Sequence, residues 1–178
     1  AEAAVAAGAD LVNDVAGLTF DPALAPFCAA RNLPVCVMHA QGDPATMQRD
    51  PQYENVLLDV YDYLAGRITA LEAEGIGRHN SIADPGIGFG KTLEHNLTLL
   101  SNLSLFHSLG VPILLGASRK RFIGTIGGGA AGEDRAPGSI AVALAALSHG
   151  VQVLRVHDVA QTIQSISLYR AALTGKQL

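Results

Sequence analysis

Five short apolar runs, each closing on a polar cluster and each followed by a longer helix-like stretch, constrain the fold of this 178-residue chain more than any other feature. The runs cover residues 11–15, 34–38, 81–84, 112–116 and 152–156. Each is apolar through most of its length, as a strand covered on both faces must be. Such strands alternating with helices predict βαβ units around a parallel sheet. The first helix-like stretch follows Asp21-Pro22, a cap with a first-turn proline. A long one spans 53–74 and stops at Gly75, a third spans 93–109 and stops at Gly110, and Gly150 closes another. The last starts near Asp158, which is placed as its cap, and ends at Gly175 with Lys176, Gln177 and Leu178 as a stub. Residues 1–7, closed by Gly8, read as the last turns of a helix, so the chain is expected to begin inside an element.

The polar clusters sit at equivalent places: Asn13-Asp14, His39 with Gln41, Asp84, Ser118-Arg119-Lys120, and Arg155 with His157. In a (β/α) barrel these strand ends converge on one face, where the active site is assembled. A complete barrel takes about 250 residues and eight strands. Five strands therefore predict an incomplete barrel with an open edge.

The segment from Asp84 to Lys91 carries the most local information. A carboxylate at a strand end runs into glycines at every second position, Gly86, Gly88 and Gly90, and a helix-like stretch starts after Thr92. Gly90-Lys91-Thr92 imitates the tail of a phosphate-binding P-loop, but that motif needs a glycine where Pro85 stands. The G-x-G-x-x-G spacing of dinucleotide sites is absent too. Two readings remain: backbone that lets a ligand approach closely, or glycines that serve turn geometry alone.

With 49% hydrophobic and 16% charged residues, the composition describes one globular domain with a filled core. A net charge of -4 leaves no basic footprint for nucleic acid. The longest apolar run, 140–147, is too short to cross a bilayer, and a cytoplasmic location is expected. Cys28 and Cys36 are expected to be buried, reduced thiols.

Taken in order, Asn13-Asp14-Val15, Met38-His39-Ala40-Gln41-Gly42, Asp84 through Lys91, Gly116-Ala117-Ser118-Arg119-Lys120 and Arg155-Val156-His157-Asp158 resemble the C-terminal part of dihydropteroate synthase, a pterin-binding barrel family. The resemblance covers nearly the whole chain. It implies one domain, residues 1–178, holding the fourth to eighth strands of an incomplete TIM-type barrel whose first three strands are absent. The implied reaction condenses 6-hydroxymethyl-dihydropterin diphosphate with para-aminobenzoate to give dihydropteroate and diphosphate. Asn13, Val15, Met38, Asp84, Phe89, Gly116, Lys120 and Arg155 would then face the pterin. Phe89, Ser118 and Arg119 would lie on the aminobenzoate side, and Arg155 and His157 would hold the diphosphate. Lys120, Arg155 and His157 would carry the chemistry. Magnesium is the implied cofactor, with its family ligand on a first-strand loop outside this chain, and the complete family enzyme is expected to be a homodimer.

The residue chemistry agrees with that carry-over. A pterin edge presents N–H donors beside a carbonyl, which suits an acceptor-only Asp84, a two-way Asn13 and a donating Lys120. Singly, each residue keeps an ordinary reading. Asn13 and Asp14 serve as turn formers, Met38 as core, Arg119 and Lys120 as a solvated pair, and His157 as a structural histidine. Two other functions stay open: a non-catalytic pterin-binding remnant, and a barrel binding methyltetrahydrofolate for methyl transfer.

Overall fold

In the computed structural model, which describes residues 1–42, 46–129 and 131–176, strands and helices alternate as the apolar runs require. The order is α1 (Glu2–Ala6), β1 (Val12–Asp14), α2 (Leu24–Ala30), β2 (Val35–Met38), α3 (Val56–Ala73), β3 (Ser81–Asp84), α4 (Leu93–Ser101), β4 (Leu114–Leu115), α5 (Arg121–Gly127), α6 (Ala136–Ser148), β5 (Val153–Leu154) and α7 (Val159–Thr174). Every pairing is parallel. Val12 lies opposite Val35, Val35 opposite Ser81, and Leu114 opposite Val153. The sheet is split into β1-β2-β3 and β4-β5, and a single bridge, Ala83 to Ile113, joins the halves. Strand neighbours in space are therefore neighbours in sequence, the arrangement that winds a barrel wall.

The strands are shorter than their apolar runs. Only two residues of 112–116 and two of 152–156 pair as strand, because the ladder runs out where Gly116 and Arg155 turn into the loops above. Val35, Cys36, Val37 and Met38 are all buried, as a central strand covered on both faces demands. Against it packs α3, whose buried stripe of Val56, Val60, Leu64, Ile68 and Leu71 follows the helical repeat. Asn55 caps that helix through its side-chain oxygen, which accepts from the amides of Leu57 and Leu58 at 3.2 and 3.3 Å.

Three departures have local causes. The helix expected over 93–109 breaks after Ser101, where the Asn102 side chain donates back to the Thr98 carbonyl at 2.8 Å. The chain continues as a 3-10 helix, Leu103–Leu109, whose threefold repeat buries Leu103, Phe106 and Leu109 together. Helix α5 was not anticipated, since Gly124, Gly127 and Gly128 disguise it. Asp158 occupies the first-cap position of α7 without capping it, because Arg119 takes its carboxylate.

Cys28 and Cys36 are buried free thiols, and burial pushes Cys36 up to about 12, so it stays a thiol at neutral pH. Of the C-terminal stub only Lys176 lies among the described residues. Among those residues no helix is long and apolar enough to cross a membrane.

Candidate active site

The strand ends converge at one mouth, and Arg155 shows it most directly. From the loop after β5 its guanidinium donates one N–H to Asn13 Oδ1 at 2.9 Å and another to Asp84 Oδ2 at 3.0 Å. Asn13 and Arg155 are 142 residues apart, so the two outermost strands bend toward each other across the mouth. Asp84 is 1% exposed, and its other oxygen accepts the Gly86 amide at 2.8 Å. Its charge is thus met by a cation on one side and a backbone donor on the other, as a buried carboxylate requires. Gly116 is the floor beneath the guanidinium: a Cβ there would overlap it. Of the two candidate turn formers, only Asp14 plays that part, accepting the Leu18 amide at 2.6 Å.

The glycine loop is built against its neighbour strand. Gly86, Gly88 and Gly90 all have positive φ, between 62° and 81°. A Cβ on Gly86 would overlap the His39 carbonyl, and one on Gly90 the Gln41 carbonyl. The turn reading holds, and the close approach that these glycines allow is to the chain's own β2 loop.

Two lysines reach this loop. Lys120 donates to the Ile87 carbonyl and lies over the Phe89 ring, 4.4 Å from its centroid. Burial, opposed by Asp84 and reinforced by Arg155, pushes Lys120 down to about 8. It is therefore no solvated surface charge. Lys91, 3% exposed, was assigned no role from sequence, yet its Nζ lies 2.8 Å from His39 Nδ1 and 3.0 Å from the Phe89 carbonyl. Burial pushes Lys91 down to about 7, and it pushes His39 down to about 3, with the Lys91 charge adding to the second effect. His39 is held as a neutral ring, edge-on to Tyr63 at 4.9 Å. Three basic side chains thus lie near one carboxylate, and in their protonated forms they exceed it in charge and suit an anionic ligand.

The remaining expected residues divide. Met38 is buried beneath Gly86, while Val15 is half exposed just beyond β1. His157 is exposed, with Nδ1 3.0 Å from Ser118 Oγ, and its amide donates to the same hydroxyl. The Arg119 guanidinium is committed to Asp158, through Nε at 3.0 Å and Nη2 at 2.5 Å. Its φ of 58° and the amide bond it donates to Ser139 Oγ turn the chain between β4 and α5. A cleft of about 480 Å³ opens between the glycine loop and α5, lined by Phe89, Lys120, Leu93, Asn96 and Phe122 among others. It shares Phe89 and Lys120 with the mouth but does not reach Asn13, Asp84 or Arg155.

Comparison with known proteins gives the family and the kind of fold. A dihydropteroate synthase of Escherichia coli (strain K12) is 40% identical over 170 residues, covering 96% of this chain and 60% of that protein. The Xanthomonas albilineans dihydropteroate synthase in complex with 7,8-dihydropteroate superposes with a TM-score of 0.88 at 41% identity, over 97% of this chain and 62% of that one. The same enzyme with 4-aminobenzoic acid gives 0.89 at 40% identity, over 97% and 61%. The chain therefore spans about 60% of the length of such relatives. The family model described as pterin binding enzyme matches residues 1–157, which takes in every strand and all the converging side chains, and the chain belongs to the pterin binding enzyme family.

Proposed function

We propose that the chain forms the pterin and leaving-group side of a dihydropteroate synthase, with its five strands as the fourth to eighth of a TIM-type barrel. The observation that carries this reading is the guanidinium of Arg155 held between Asn13 and Asp84. A pterin's amino group and adjacent ring N–H form a cyclic guanidine, so the same two acceptors accept the same donor pattern from a ligand. On binding, the pterin edge replaces the guanidinium, Lys120 donates to the pterin carbonyl, and Met38 and Gly116 form the floor. Arg155 is then released toward the diphosphate beside His157. The X. albilineans complexes with dihydropteroate and 4-aminobenzoic acid support both substrate classes.

In the reaction the bond between the pterin methylene and the diphosphate oxygen breaks, and the oxygen keeps the electron pair. The aromatic amine then attacks the methylene carbon and loses one proton. No protein nucleophile is needed. Arg155 and His157 lower the barrier by meeting charge that grows on the departing diphosphate. Phe89 and Ser118 border the aminobenzoate side, and Arg119 acts there by holding Asp158 and the β4–α5 turn. Among the described residues no group of three His, Cys, Asp or Glu side chains could hold a metal. Magnesium is part of the proposal by family likeness alone, since one or two carboxylates with the substrate's phosphates suffice to hold it, and no step is assigned to it. A homodimer is part of the proposal by family likeness alone.

The test is diphosphate release by the intact protein in the presence of para-aminobenzoate, with Arg155→Ala alongside. Turnover should fall about a hundredfold in the variant, while affinity for a pterin lacking diphosphate should hold or rise, because Arg155 no longer competes for Asn13 and Asp84. Binding of methyltetrahydrofolate without any diphosphate-dependent turnover would favour the methyl-transfer barrel instead.

A further inference from the structure

The buried pair Lys91 and His39 has no part in the reaction above, and Lys91 belongs to the one segment that imitates a P-loop without being one. Its surroundings are specific. Nζ faces three acceptors: His39 Nδ1 at 2.8 Å, the Phe89 carbonyl at 3.0 Å and the His39 carbonyl at 3.4 Å. In its ammonium form Nζ has three protons for these three acceptors, and His39 then carries its own proton on Nε2. Two further bonds tie the same loop down: the Tyr53 hydroxyl donates to the Gly90 carbonyl at 2.8 Å, and Asn96 Oδ1 accepts the Gly88 amide at 2.6 Å. Lys91, Tyr53 and Gln48 each join the loop after β2 to the loop after β3, and of the three only Lys91 is buried.

We infer that Lys91, seated on His39, is a positioning residue that sets Phe89 for the second substrate. Asp84 is anchored separately, by Gly86 and Arg155, so the pterin edge does not depend on this grip. Removing Lys91 leaves the Phe89 and His39 carbonyls without their buried donor, and the loop from Ile87 to Gly90 gains freedom beside the cleft that Phe89 and Lys120 line. The aminobenzoate side then loses its order while the pterin side keeps its acceptors. The inference rests on the proposed placing of Phe89 toward aminobenzoate.

The experiment compares wild type with Lys91→Met, His39→Leu, His39→Asn and the double variant Lys91→Met/His39→Leu in the intact protein. The readouts are pterin affinity by calorimetry and the KM and kcat for para-aminobenzoate. Lys91→Met should raise that KM about tenfold, with kcat and pterin affinity within about threefold. His39→Leu should do the same, His39→Asn, which keeps an acceptor near Nδ1, much less, and the double variant no more than either single one. Equal losses of pterin affinity and aminobenzoate KM, or additive effects in the double variant, would overturn the positioning role. If Lys91→Met does not fold, the contrast between His39→Leu and His39→Asn decides alone. A wild type that binds no pterin refutes the proposed function instead.

Discussion

Asp84 and His39 are the most informative single residues, because each is buried and meets specific polar partners. Asp84→Asn keeps shape but turns one acceptor oxygen into a donor that faces donors. Pterin binding should be lost, while folding stability falls by only about 1 kcal/mol, because the half-exposed Arg155 can swing to water. Calorimetric titration alongside urea unfolding reads both, and undiminished affinity in a folded variant removes Asp84 from the site. His39 makes a pH prediction. Its folded value is lowered to about 3 from an ordinary 6.5, so between those values the unfolded chain binds more protons than the folded one. Stability then rises with pH across that window and is lost on acidification from 6.5 toward 3, by up to about 1.4 kcal/mol per pH unit. His39→Asn should flatten this part of the profile in urea melts, and an unchanged acid limb would show that carboxylates carry it. The convergence of Asn13, Asp84, Lys120 and Arg155 was legible because polar and charged groups at the ends of apolar strands have few other reasons to be there. The partnership of Lys91 with His39 was not, because 52 residues separate two side chains that look ordinary alone.

At the scale of the element, the loop from β3 to α4 sets the geometry of the site. Gly86 combines a φ of 69° with a Cβ position already filled by the His39 carbonyl. Gly175 has nearly the same φ, 66°, with nothing near its Cβ position. Gly175→Ala should therefore cost about 1 kcal/mol, the left-handed strain alone. Gly86→Ala adds the overlap, should cost about 3 kcal/mol or more, and should displace the β2 loop. Thermal melts of the two variants give the comparison, and equal losses would mean that conformation alone explains the glycine. The glycine spacing marked the turn in the sequence. It could not say that the near neighbour would be backbone of the preceding loop. Helix α5 was missed for a related reason: its glycines lower its intrinsic preference, and packing of Phe122 and Ile123 into the core overrides that.

At the scale of the molecule, the wall of five parallel strands leaves β1 and β5 without outer partners among the described residues. The helix beside the last strand, α7, buries only Thr162 and leaves Val159, Ile163, Leu168 and Leu173 more than half exposed. Apolar surface exposed in this way is costly in water and promotes association. Residues 1–178 alone should elute with a mass that grows with concentration, and Ile163→Glu with Leu168→Lys should reduce that growth without changing the circular dichroism spectrum. A wild type that stays monomeric at about 100 μM would show that the face is tolerated as it stands.

What the sequence determined by itself is the local and periodic part: which runs are strands, where Gly75, Gly110 and Gly175 stop helices, and which polar residues lie at strand ends. These follow from side-chain period and backbone preference within a few residues, so no distant partner is needed to read them. Tertiary structure alone decided which of those polar residues meet. It set Arg155 on Asn13 and Asp84, gave Asp158 to Arg119 instead of to its own helix, and buried Lys91 against His39. Each choice depends on which groups lose water together when the sheet curves, and that desolvation exists only once distant strands have come side by side.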